Sequence, residues 1–126
     1  MLLSIDEKDP RPIYQQLMAQ IREQVGTGTL QPGDELPSVR DVAQNLGINL
    51  HTARSAYLKL RDQGIIDLRL GRKARIARPR TTAPDATAEE ETRLAVREYI
   101  TDAVLKGLSP ERIRTLFEEE LNRHEE

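Results

Sequence analysis

Three polar side chains, His51, Thr52 and Arg54, crowd the first turn of a segment that needs only Asn49 to start it as a helix. Asn49 suffices because its side-chain oxygen accepts a backbone N–H that the first turn leaves without a partner. An imidazole, a hydroxyl and a guanidinium beside it suit another task. Grouped at a helix N-terminus, where the helix dipole also favours anions, they fit the base edges and phosphates of nucleic acid. At about 100° per residue, His51, Ser55 and Asp62 fall opposite an apolar stripe of Ala53, Ala56, Tyr57 and Leu60, with Thr52 and Arg54 on its flanks. A second group of cations, Arg69, Arg72, Lys73 and Arg75, lies in "IIDLRLGRKARIA", where two of them adjoin Gly71 at a hairpin tip.

Each of these residues also has a plainer use. His51 could be an exposed histidine without a partner. Thr52 could support the cap, and Arg54 could pair with Asp41 or Asp62, which would contribute little at a surface. Arg72 and Lys73 could serve solubility alone. Tyr14 and Tyr57 stand at core spacing and are expected inside, not as stacking platforms.

The elements that must hold these groups are marked by caps and breakers. A first helix is predicted from about Pro12 to Val25, with Tyr14, Leu17, Met18, Ile21 and Val25 on one face and Gly26 and Gly28 ending it. "LQPGDELPS" reads as a turn-rich connection around Pro32, Gly33 and Asp34. Ser38 caps a second helix with Val39, Val42, Ala43 and Leu46 on its inner face, and Gly47 closes it in the left-handed conformation. The third helix runs from Asn49 to about Gln63 and stops at Gly64. Beyond it the period changes: Ile66, Leu68 and Leu70 alternate with polar residues, and "ARIA" supplies a second short strand.

"RPRTTAPDATAEEE" lacks large apolar residues and reads as a linker. Two more helices follow around Gly107, the second opening at Ser109-Pro110. They carry Leu94, Val96, Tyr99, Ile100, Ala103, Val104, Ile113, Leu116, Phe117 and Leu121, more apolar surface than a two-helix hairpin can cover by itself. An identical hairpin from a second copy would cover it with a two-fold interface; folding back on the first domain is the alternative.

Composition narrows the chemistry. The 126 residues are 37% hydrophobic and 3% aromatic, enough for one ordinary domain with an appendage and too few for a large enzyme. With no cysteine and only His51 and His124, thiolate chemistry and a histidine metal cluster are not expected, and no cofactor or metal is implied. No stretch resembles a signal peptide or a membrane span, so a soluble cytoplasmic protein is expected. The net charge of −2 hides an asymmetry: residues 1–80 hold 13 Lys/Arg against 9 Asp/Glu, and residues 81–126 hold 6 against 12. Residues 40–80 are the most basic, with 10 against 3, which suits a polyanion.

The run "PIYQQLMAQIREQVGTGTLQPGDELPSVRDVAQNLGINLHTARSAYLKLRDQGII" resembles the DNA-binding domain of the GntR family of bacterial transcription regulators, over about Pro12 to Ala77. The resemblance rests on a PIY first helix, a PGD-LPS-R connection, an LG turn, T-x-x-x-A-Y in the third helix and a closing G-I. The short tail with "GLSPERI" resembles the YtrA-type subfamily, whose members carry only a helical dimerisation segment. What this implies is a DNA contact from Arg40 of the second helix, from Asn49, Leu50, His51, Thr52 and Arg54 of the recognition helix, and from Gly71, Arg72 and Lys73 of the wing. Two departures bear on specificity. Leu50 stands where many members carry arginine, and Gly71-Arg72-Lys73-Ala74 replaces the usual G-x-G-T of the wing.

The expectation is therefore a mainly α fold with a small β-hairpin: a winged helix-turn-helix domain over 1–78, a linker over 79–87 and a helical dimerisation hairpin over 88–126. Its expected function is sequence-specific binding of double-stranded DNA as a homodimeric repressor on a pseudo-palindromic operator, with no enzymatic activity and no membrane partner. A small-molecule effector is left open and unidentified. The alternatives are a winged-helix protein-interaction module, told apart by weak salt dependence, and the DNA-binding front end of a longer effector-domain regulator.

Overall fold

The computed structural model describes residues 2–69, 71–78 and 86–125. Leu70, and residues 79–85 of the expected linker, lie outside the described residues. Two compact units are present, Met1–Pro79 and Arg80–Glu126.

In the first unit, α1 (Ile13–Gly26) buries Leu17, Met18 and Ile21, and Tyr14 and Val25 flank them against the same core. Pro12 stands just before the helix, where its carbonyl accepts from the N–H groups of Gln15 and Gln16. The polar side of α1 has a use that its composition conceals. Gln16, Gln20 and Gln24, one turn apart, hold the chain Leu2–Asp6 along the helix. Gln20 accepts from the Ser4 N–H at 2.9 Å and donates to the Ser4 carbonyl at 2.7 Å. Gln16 treats Asp6 the same way and also donates to the Arg11 carbonyl at 3.1 Å, while Gln24 donates to the Leu2 carbonyl. Four helical residues rise about 6 Å and two extended residues span nearly as much, so every second arm residue meets a glutamine. The intervening Leu3 and Ile5 pack on the core.

Ser38 caps α2 (Val39–Leu46) by accepting from the Asp41 N–H at 3.0 Å. Gly47 closes it at φ +65°, in the left-handed region that glycine adopts at least cost, and the Ile48 N–H returns to the Ala43 carbonyl. Asn49 then starts α3 (Leu50–Asp62), accepting from the His51 N–H at 2.7 Å. Ala53, Ala56, Tyr57 and Leu60 are all buried, as the stripe requires. The Tyr57 hydroxyl donates to the Pro37 carbonyl at 2.6 Å and ties α3 to the start of α2.

After Gly64, β1 (Ile66–Asp67) pairs antiparallel with β2 (Arg75–Ile76), Ile66 opposite Ile76 and Asp67 opposite Arg75. The ladder is shorter than the alternation implied. Leu68 still packs on the core, but by Arg69 the chain has turned, with the Arg72 N–H donating to the Arg69 carbonyl. The connection expected to be turn-rich also pairs with β2. Gly33 N–H donates to the Ile76 carbonyl, Ile76 N–H to that of Asp34 and Leu36 N–H to that of Ala74. Glu35 and Arg75 thereby form an antiparallel bridge that joins the α1–α2 connection to the hairpin.

In the second unit, α4 (Ala86–Leu105) begins two residues before the expected Ala88, and α5 (Pro110–Glu125) follows a turn in which Gly107 adopts φ +92°. Ser109 accepts from the Arg112 N–H at 3.2 Å and caps α5. Among the described residues of this unit Ile113 alone is buried, while Ala103 and Leu116 are half-buried.

Candidate nucleic-acid interface

Burial of one side of α3 decides what the other side offers. His51 and Arg54 are exposed, Thr52 and Ser55 half-exposed, and the helix is fixed by its cap and by Tyr57. Arg54 has no ion pair among the described residues; Asp62, one suggested partner, pairs with Arg61 at 3.0 Å. The His51 imidazole likewise has no hydrogen-bond partner among the described residues, only its backbone N–H being used. Asn49 spends its side-chain oxygen on the cap. Leu50 is half-buried and packs against the core, so its apolar side chain closes the base of the helix. Sequence reasoning passed over Leu58, which is exposed on the same outward side; the helical spacing that singled out His51 also locates it.

Arg40, the second residue of α2, is exposed and unpaired among the described residues. At the wing, Gly71 turns the chain at φ +77°, and Arg72 is exposed without an ion pair among the described residues. Not every wing cation is free. Arg75 Nη2 meets Glu35 Oε1 at 2.6 Å and its Nη1 donates to the Gly33 carbonyl at 3.0 Å. Lys73 Nζ lies 4.0 Å from Glu35 Oε2. Glu35 therefore offsets part of the hairpin's charge, a pairing that no local spacing reveals because Arg75 stands 40 residues away from it. Lys59 is also engaged, 5.3 Å from the centre of the Tyr14 ring, a cation–π contact. The cations left facing water on this unit include Arg40, Arg54, Arg69 and Arg72.

No helix among the described residues is long and apolar enough to cross a membrane. In the second unit the apolar side chains stay uncovered: Tyr99 is 67% exposed, Val104 54% and Leu121 61%, with Leu94, Val96, Ile100 and Phe117 also open.

Two helices joined through a left-handed glycine, the second capped toward solvent with free polar groups at its start and followed by a cationic hairpin, define a winged helix-turn-helix protein, a DNA-binding transcription regulator. The family described as "Bacterial regulatory proteins, gntR family" matches residues 13–76, and the chain belongs to that family. It is 30% identical over 118 residues to the HTH-type transcriptional repressor YtrA of Bacillus subtilis, covering 94% of this chain and 91% of that protein. Among solved structures it is similar to a transcriptional antiterminator from Listeria monocytogenes, with 32% identity, a TM-score of 0.85 and coverage of 98% and 92% of the two chains. The N-terminal domain of AraR, in complex with a mutant of its operator ORR3, matches 53% of this chain and 96% of that one at 27% identity and a TM-score of 0.50.

Proposed function

We propose that the chain is a homodimeric repressor that occupies a pseudo-palindromic operator, each protomer setting α3 in the major groove and its Gly71–Lys73 wing against the adjoining backbone. The observation that carries this reading is the start of α3, where His51 and Arg54 stand exposed and without side-chain partners among the described residues, on a helix seated by the Asn49 cap and the buried stripe. The helix that carries them is already ordered, so meeting a base edge requires fixing only their side-chain rotamers, at about 0.5–1.5 kcal/mol each. Arg40 and Arg72 act on phosphates, Thr52 supports the same turn, and Leu50 keeps the helix seated.

The second unit supports the dimer. Its two helices bury only Ile113 among the described residues and leave Ile100, Val104, Phe117 and Leu121 in water, an arrangement that a second identical hairpin would cover. Repression, the role in the name of the Bacillus subtilis relative, follows when such a dimer sits on a promoter. The protein acts in the cytoplasm, where the DNA is, and catalyses nothing.

The test is a duplex selected from a random library by the full-length protein. Arg54→Ala is expected to weaken binding to it by about 5- to 150-fold, the range of a lost base contact, while hardly changing binding to an unrelated duplex. Equal loss on both duplexes removes Arg54 from base reading. An affinity that ignores salt between low and moderate concentration removes DNA as the partner.

A further inference from the structure

Among the described residues of the first unit, the exposed large apolar side chains are Leu2, at the start of the arm, and Leu58, at 36% exposure on α3. Leu58 stands outside the hydrophobic core cluster and the side chains packed against it. The core is closed beneath it by Ala53, Ala56, Tyr57 and Leu60, and alanine would serve the helix at least as well there. Its position is telling. About the helix axis it lies roughly 20° from His51 and 40° from Arg54, and along the axis it stands about 6 Å beyond Arg54 and 10 Å beyond His51. One face of α3 thus carries an imidazole, a guanidinium and then an isobutyl group over a length of about three base-pair steps. The face ends at Asp62, whose carboxylate would repel phosphate and is instead held by Arg61.

From this placement we infer that Leu58 is a specificity-determining residue that packs against the C5-methyl group of a thymine in the major groove, one of the few apolar features exposed there. The inference rests on the proposed reading of α3 as the groove helix and adds a chemical preference to it: His51 and Arg54 address hydrogen-bonding edges, whereas Leu58 distinguishes thymine from every base that lacks the methyl. The gain is the removal of two small apolar surfaces from water. Because α3 presents His51, Arg54 and Leu58 in that axial order, the thymine lies to one side of the bases read by the polar pair, two or three steps away.

The experiment replaces thymine by deoxyuridine, which deletes the methyl and keeps every hydrogen bond. The full-length protein selects its operator from a random duplex library, and each half-site thymine is then changed to deoxyuridine in both half-sites together. Wild type is expected to lose about fourfold per half-site at one position, the value of one buried methyl, and about fifteenfold when both half-sites are changed. Leu58→Ala should show that same loss on the thymine operator and no further loss on the deoxyuridine one, and Leu58→Met should restore the thymine preference. An unchanged circular dichroism spectrum and unchanged binding to an unrelated duplex show that the variants are folded. The inference is overturned if wild type binds all deoxyuridine operators as tightly as the original, or if Leu58→Ala keeps the full deoxyuridine penalty. A loss on Leu58→Ala that is equal on both operators overturns it too and assigns the side chain to a protein contact. Failure to select any sequence would overturn the DNA reading itself, a result distinct from selection without a methyl effect.

Discussion

Replacing Tyr57 by phenylalanine separates two opposite effects of one hydroxyl. In the native unit the ring is 1% exposed and the hydroxyl donates to the Pro37 carbonyl at 2.6 Å, so its removal leaves that carbonyl short of a donor in a partly buried place. A loss of about 1–2 kcal/mol at pH 7 is expected. Burial first, and the negative charge of Asp41 second, raise the Tyr57 pKa well above the ordinary value of about 10. The folded chain therefore keeps this proton at a pH where the unfolded chain gives it up. Stability from this source is whole below about pH 10 and falls by about 1.4 kcal/mol per pH unit above it, until the native pKa is reached. Near pH 11 the fall equals the value of the hydrogen bond, so wild type and Tyr57→Phe should become equally stable, and above it the variant should be the more stable. Urea unfolding of both proteins, followed by circular dichroism at pH 7, 9 and 11, measures this. Taking the difference between the two removes the contributions of the other tyrosines and the lysines. A gap that stays constant from pH 7 to 11, or no gap at pH 7, refutes the account of how Tyr57 is held.

Three further outcomes are expected. Gln16→Ala leaves the Asp6 N–H and the Arg11 carbonyl without their partner and the Asp6 carbonyl with the Asp9 N–H as its remaining donor, and should cost about 2–4 kcal/mol, with faster proteolysis confined to the arm. Ile100→Glu puts a charge into the proposed dimer face and should convert the protein to a monomer by sedimentation, with operator affinity at least 100-fold lower and the first unit still folded. Glu35→Gln releases Arg75 and Lys73 from their counter-charge, so affinity for an unrelated duplex should rise several-fold and the salt dependence should steepen by about one phosphate contact.

What could be read in the sequence was whatever acts over one or two turns. Ser38, Gly47, Asn49 and Gly107 stand where helices begin or end because capping is a local matter, and the stripe on α3 followed from spacing alone. The parts that stayed hidden depend on distant partners. Gln16, Gln20 and Gln24 look like an ordinary polar face until the arm is seen lying on them. The segment Gly33–Leu36, bracketed by Pro32 and Pro37, is too short to show the alternation of a strand, yet it pairs with β2 across about 40 residues. A count of wing cations is likewise blind to Glu35, so Arg75 counts toward the basic hairpin when it is a clamp. Leu58 escaped for another reason: an apolar residue among polar ones passes for core unless the wheel is followed to its open side.

The charge asymmetry gives these parts a common consequence. The first 80 residues carry four more basic than acidic groups, and the last 46 carry six more acidic than basic ones. Phosphates attract the first set and repel the second, so in the proposed dimer the helical hairpins can be held together without competing for the duplex. The repulsion also works between hairpins, where like charges must be kept to the rim for an apolar centre to close. On α5 this condition is met only in part: Glu118 lies away from Ile113, Leu116 and Phe117, but Glu120 falls between Ile113 and Leu116, where Arg123 offsets its charge at 2.9 Å. On α4 the apolar residues themselves divide, Leu94 and Leu105 falling on the side opposite Val96 and Ala103. The half-burial of Ala103 makes its side the inner one; an interface using Leu94 therefore approaches α4 from the outside, and Leu94→Ser and Phe117→Ser should weaken association independently, their effects adding in sedimentation.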